Sequence, residues 1–136
     1  MTLRSQFLFA AALGVVVACA SSGGEGTLSA DSRVLNRAEL NQLMEMGIRN
    51  LHEAIERARP RWLVVRSGLR SFSTETEIVV FQDQSFLGTQ EVLERMGIEG
   101  VYEIRYLDGA TAQATLAGIQ DRHVQGAIVV HMRPPR

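Results

Sequence analysis

The chain has 136 residues, of which 46% are hydrophobic, and its 14 basic residues nearly balance its 15 acidic ones. This balance provides no basic surface of the kind that nucleic-acid binding requires, so nucleic acid is not expected as a partner. The length is typical of one domain, and a single cysteine excludes an intrachain disulfide.

The first 18 residues have the pattern of an export signal. Arg4 and the initiating amine form a weakly positive start, and residues 7–18 are apolar apart from Gly14. Such a stretch is too short to cross a bilayer, which takes about 20 apolar residues. It has the length of the apolar region of a signal peptide. We therefore expect residues 1–18 to be removed.

The run Val16-Val17-Ala18-Cys19 resembles the lipobox of bacterial lipoproteins. The resemblance implies a diacylglyceryl thioether at Cys19, cleavage before it, and acylation of the new amino group. Two or three acyl chains give stable membrane attachment, since each buried CH₂ contributes about 0.8 kcal/mol. The alternative is ordinary signal cleavage close to an incidental free cysteine. Ala20, rather than Asp, follows the cysteine, which by analogy with lipoprotein sorting favours the outer membrane, facing the periplasm.

A segment rich in serine and glycine follows the cysteine, at residues 20–31. This composition is typical of a flexible linker, and about 12 such residues have a root-mean-square reach of roughly 20 Å. The predicted organisation is a signal peptide at 1–18, a lipidated cysteine and linker at 19–32, and one folded domain at 33–136.

The folded part is predicted to begin with helices. Asn36 and Glu39 have the spacing of a capping box, and apolar residues then recur at helical intervals as far as Ala58. Gly47 interrupts the pattern and Asn50 offers a second cap, so the segment is either one long helix or, as we favour, two short ones. Pro60 should end the last helix.

The remainder alternates between strand and helix signals. Strands are predicted at 61–66, 77–82, 101–107 and 126–132, with short helices from Thr89 to 96 and from Asp108 to 117. Residues 67–76 are expected to form a loop and residues 83–88 a turn. This order predicts an α+β domain whose three- to four-stranded sheet carries short helices mainly on one face.

From Ile78 to Arg133 the order of features resembles the plug domain of TonB-dependent outer-membrane receptors. The matching segments are Ile78-Val79-Val80-Phe81-Gln82-Asp83, Val101-Tyr102-Glu103-Ile104-Arg105-Tyr106-Leu107, the Ala-rich stretch 110–118, and Gly126-Ala127-Ile128-Val129-Val130 before Arg133. The resemblance implies a plug-like fold and a module that contacts other envelope proteins. It does not imply transport, because no barrel strands follow and no TonB-box segment is evident.

Three positions depart from the plug pattern. Gln84 stands where a glycine usually follows the aspartate, and Gln125 replaces the first glycine of the terminal pair. His131-Met132 replaces the usual polar approach to the last basic residue.

A cluster of arginines is the candidate interaction surface: Arg59, Arg61, Arg66 and Arg70, with Arg57 nearby. These side chains would contact either lipid phosphates or an acidic partner, although neighbouring glutamates also suit a solvated rim. No cofactor or metal is expected, because His52, His123 and His131 lack a metal-ligand spacing.

Asp83 and Asp108 suit turn and helix-cap roles better than acid–base catalysis. The sequence therefore predicts a non-enzymatic lipoprotein, bound to the lipid bilayer through acylated Cys19, that binds another envelope protein. The alternative is an envelope ligand-binding protein or hydrolase using loops 83–88 and 119–125.

Overall fold

The computed structural model describes residues 33–66 and 76–134. The predicted signal peptide, Cys19, the predicted linker and Arg70 lie outside these ranges. Within them, no helix is long and apolar enough to cross a membrane.

The described part of the domain contains five strands and three α-helices. The strands are β1 (Val34–Leu35), β2 (Glu77–Gln82), β3 (Ser85–Thr89), β4 (Glu103–Asp108) and β5 (Val124–His131). The α-helices are α1 (Arg37–Glu45), α2 (Leu51–Ala58) and α3 (Gly109–Thr115), and 3-10 helices span Pro60–Leu63 and Gln90–Arg95.

The strands form one mixed sheet in the order β1-β4-β5-β2-β3. β2 and β5 are parallel, while the β1–β4, β4–β5 and β2–β3 pairs are antiparallel. The α+β class is confirmed, but the predicted count of three to four strands is wrong. β1 and β3 were not predicted, and residues 61–66 do not form a strand.

Alternate residues of the central strands build two cores. Ile78, Ile104 and Ile128 face α1, α2 and the two 3-10 helices, whereas Val79 and Val129 face α3 on the opposite side. Four of the five helical elements therefore lie on one face, as predicted from the sequence. Burial of both sheet faces explains why β2 and β5 are continuous apolar runs.

The helical segment is divided in two, as favoured from the sequence. Gly47 has a φ of 91°, and its N–H donates to the Met44 carbonyl. The Ile48 N–H donates to the Leu43 carbonyl at 3.1 Å. These two bonds form a Schellman motif, which satisfies carbonyls at the end of α1. The Asn50 side chain then accepts from the Glu53 N–H and begins α2.

The β2–β3 connection explains one departure from the plug pattern. Asp83 and Gln84 form a two-residue turn in which Asp83 has a φ of 53°. The left-handed position therefore falls on the aspartate, which tolerates it better than most residues do. Gln84 does not adopt a left-handed conformation, so this turn does not require a glycine at position 84.

Candidate interaction surfaces

Arg59 is not part of a surface, which corrects the prediction for this residue. Its side chain is fully buried, and the residue lies between the end of α2 and Pro60. Nη2 donates to Glu39 Oε1 at 2.7 Å and to the Val34 carbonyl at 3.1 Å. The guanidinium also lies 5.9 Å from the centre of the Trp62 ring. Arg59 thus connects β1, α1 and the first 3-10 helix.

Glu39 has two roles in the same place. One carboxylate oxygen accepts from the Asn36 N–H at 3.0 Å, completing the predicted capping box, and the other accepts from Arg59. The side chain of Glu39 is only 5% exposed. A buried ion pair of this kind needs its remaining hydrogen bonds to be satisfied, and the cap supplies one of them.

The other predicted arginines differ in position. Arg61 and Arg66 are exposed, and Arg70 lies outside the described residues. Between them, Val64 and Val65 are 54% and 40% exposed. The predicted strand at 61–66 therefore does not exist, because Trp62 turns into the core, where it stacks 5.7 Å from Tyr106, and the residues after Leu63 run along the surface.

The exposed segment 64–66 is fixed to the sheet by Gln125. The side-chain amide donates to the Val64 carbonyl at 2.8 Å and its oxygen accepts from the Arg66 N–H at 2.5 Å. This residue departs from the plug pattern, and no local signal could indicate its role, because its partners lie some sixty positions earlier.

Arg33, where the described chain begins, lies at the same end of the sheet. Its carbonyl accepts from the Tyr106 N–H, and Nη1 donates to Asp108 Oδ2 at 3.0 Å. Asp108 is the register partner of Gly126, the neighbour of Gln125. We call this end, defined by Arg33, Asp108, Gln125 and residues 64–66, the Arg33 end.

The opposite end of the sheet carries two exposed apolar side chains. Tyr102 is 40% exposed and Met132 is 36% exposed. The Tyr102 N–H donates to the His131 carbonyl at 2.7 Å, which holds the two segments side by side. We call this the Tyr102 end. The His131 ring lies 3.4 Å from the Asp83 carboxylate beside it.

The acidic candidates for catalysis have structural partners. Asp108 caps α3 by accepting from the Thr111 N–H and hydroxyl, as predicted. The bond from the Thr111 backbone, followed by the hydroxyl and Arg33, lowers the pKa of Asp108. Asp83 occupies the β2–β3 turn. Among the described residues, no three His, Cys, Asp or Glu side chains are grouped so as to hold a metal ion.

The two segments of the alternative hypothesis are in contact through Arg122 and Phe86. The Arg122 guanidinium lies 4.8 Å from the centre of the Phe86 ring, and Arg122 Nη1 donates to Glu77 at 2.8 Å. A cleft of about 520 Å³ lies away from these two segments, at the junction between α1 and α2. Its lining includes Met46, Glu53 and Arg57.

Comparison of the chain with protein-family models, with curated proteins and with solved structures gave no match.

Proposed function

We propose that this chain is a lipoprotein of the bacterial envelope. Acylated Cys19 anchors it in the outer membrane on the periplasmic side, and its folded part is a plug-like, non-catalytic module that binds another envelope protein. The observation that carries the proposal is the run Val16-Val17-Ala18-Cys19 between an apolar signal and a serine- and glycine-rich linker.

The arrangement of the domain supports the plug-like part. From β2 onward the chain forms a strand, a tight turn, a short 3-10 helix, β4, α3 and β5, which is the order that the plug resemblance implies. β3 is an addition to that order. The charged side chains that lie together form structural pairs, such as Glu39 with Arg59 and Glu77 with Arg122, which supports a binding role rather than a catalytic one.

The first experiment is the intact mass of the protein isolated from native membranes. We expect a chain that begins at Cys19 and carries the mass of its acyl groups. Cys19→Ser should leave the protein in the aqueous fraction, because the thioether bond cannot form. An unmodified thiol in the native protein would contradict the anchor.

The second experiment concerns the binding partner. We place its docking surface at the Tyr102 end, where two apolar side chains are exposed together. Crosslinking in native membranes should capture a reproducible envelope protein, and Tyr102→Glu should abolish its capture. Met46→Glu is the matched control, because Met46 is also an exposed apolar residue, at 59%. Equal capture by both variants would contradict this surface.

A further inference from the structure

We infer that the Arg33 end of the domain rests on the phospholipid surface through Val64, Val65 and Arg66. The inference rests on the proposed anchor at Cys19. It goes beyond that anchor, because it assigns the domain an orientation and a second, non-covalent membrane contact.

The position of the linker is the first argument. The composition of the 13 residues between Cys19 and Arg33 predicts a root-mean-square reach of about 20 Å. They join the domain at Arg33, which is held at the end of β4 by its bonds to Tyr106 and Asp108. The segment that leads to the membrane anchor therefore joins the domain at the Arg33 end of the sheet and not at the Tyr102 end.

The chemistry of the neighbouring surface is the second argument. Two adjacent valines are exposed there, followed by an exposed arginine. Apolar side chains enter the boundary between headgroups and acyl chains, and a nearby cation favours anionic phosphates. Gln125 bonds to the backbone on both sides of Val65, which holds this segment against β5 with its side chains exposed.

A weak contact is sufficient in this geometry. Attachment to the membrane through the short segment after Cys19 would hold the domain at about millimolar effective concentration near the surface. Val64 and Val65 therefore do not need to bind membranes strongly by themselves. They need only favour one orientation of a domain that is already attached.

The test measures the membrane depth of a nitroxide label on the mature, acylated protein. Because acylation blocks Cys19, an introduced cysteine is the only free thiol. Val65→Cys and Tyr102→Cys are a matched pair, since both native side chains are 40% exposed. Tyr102 directly precedes β4, whereas Val65 lies beside Gln125, near the Asp108 end of that strand, whose five residue steps span about 17 Å. The proteins are reconstituted in phosphatidylethanolamine vesicles containing phosphatidylglycerol.

We expect the label at position 65 to shift towards high oxygen accessibility and low accessibility to a water-soluble nickel chelate. The label at position 102 should remain accessible to the chelate. Adding Val64→Asp should reverse the shift at position 65, whereas adding Met46→Asp should not.

Two results would overturn the inference alone. The first is equal chelate accessibility of both labels while the acylated protein floats with the vesicles. The second is a label at position 65 that is already shielded from the chelate in the unacylated Cys19→Ser protein, in buffer without vesicles or detergent, which would mean that the chain itself or a second copy covers this surface. If the protein carries no acyl mass and does not float, the anchor and the inference fail together.

Discussion

Arg59 and Glu39 form a buried ion pair, with Nη2 and Oε1 2.7 Å apart and side chains that are 0% and 5% exposed. The pair joins the residue after α2 to the first turn of α1, and a second bond from Arg59 reaches the Val34 carbonyl of β1. Arg59, which the sequence predicts on the surface, thus connects the end of α2 to α1 and β1. Because both charged groups are buried, removing one of them should strongly lower the free energy of unfolding.

Glu39→Gln should lower the free energy of unfolding by about 3 to 5 kcal/mol, since the Arg59 charge then stays buried without a counter-charge. Glutamine keeps one oxygen for the capping box but turns an NH₂ group towards Arg59, so the change removes both the charge and the acceptor of the pair while the cap can remain. Asn36→Ala is the control, because it removes only the cap and should cost about 1 kcal/mol. Urea denaturation measures both. A cost for Glu39→Gln no greater than that for Asn36→Ala would contradict this role of the pair.

Gly126→Ala should destabilise the domain by about 1 to 3 kcal/mol through overpacking. A methyl group at this position would overlap the hydroxyl end of Tyr106, whose ring stacks on Trp62, and would lie 2.9 Å from the Leu107 carbonyl oxygen. Gly97→Ala is the matched control, because its nearest heavy atom would be 3.9 Å away. Thermal unfolding of the two variants compares them directly, and similar melting temperatures would show that Tyr106 moves aside without cost.

Asp108 should make stability depend on acid pH. Hydrogen bonds from Thr111, assisted by Arg33, hold the pKa of Asp108 below its ordinary value of 3.8. Because the folded pKa is the lower one, the stabilisation is present above the unfolded value and is lost as pH falls through the folded value. Asp108→Asn keeps a helix cap but does not titrate. Urea denaturation below pH 4 should show a shallower loss of stability for the variant than for the native chain, and parallel curves would contradict the assignment.

Local signals in the sequence predicted the local structure well. The capping box of Asn36 and Glu39, the break at Gly47 and the cap of Asp108 all depend on residues within a few positions of each other. The same holds for β2 and β5, whose apolar runs reflect burial on both faces. Each of these predictions is confirmed.

Long-range contacts explain what the sequence did not show. β3 contains Gly88 and was predicted as a turn, yet it forms a strand because β2 provides a partner. A strand is suggested by the composition of Trp62-Leu63-Val64-Val65. In the structure, however, Trp62 is buried, where it contacts Tyr106 and Arg59. The burial of Arg59 could not be predicted, because its partner Glu39 lies 20 residues earlier and its role as part of a capping box already explained it.

The division of the helical segment depends on the backbone conformation of Gly47, and this dependence can be tested. Its φ of 91° is one that residues with a side chain rarely adopt, and a methyl group there would meet no atom within 4 Å. The cost of Gly47→Ala is therefore conformational alone, and we expect about 1 to 2 kcal/mol. Gly47→Asn should cost less, because asparagine enters the left-handed region more readily. Urea denaturation orders the two variants. An alanine variant as stable as the native chain would mean that α1 continues through position 47 instead of ending in the Schellman motif.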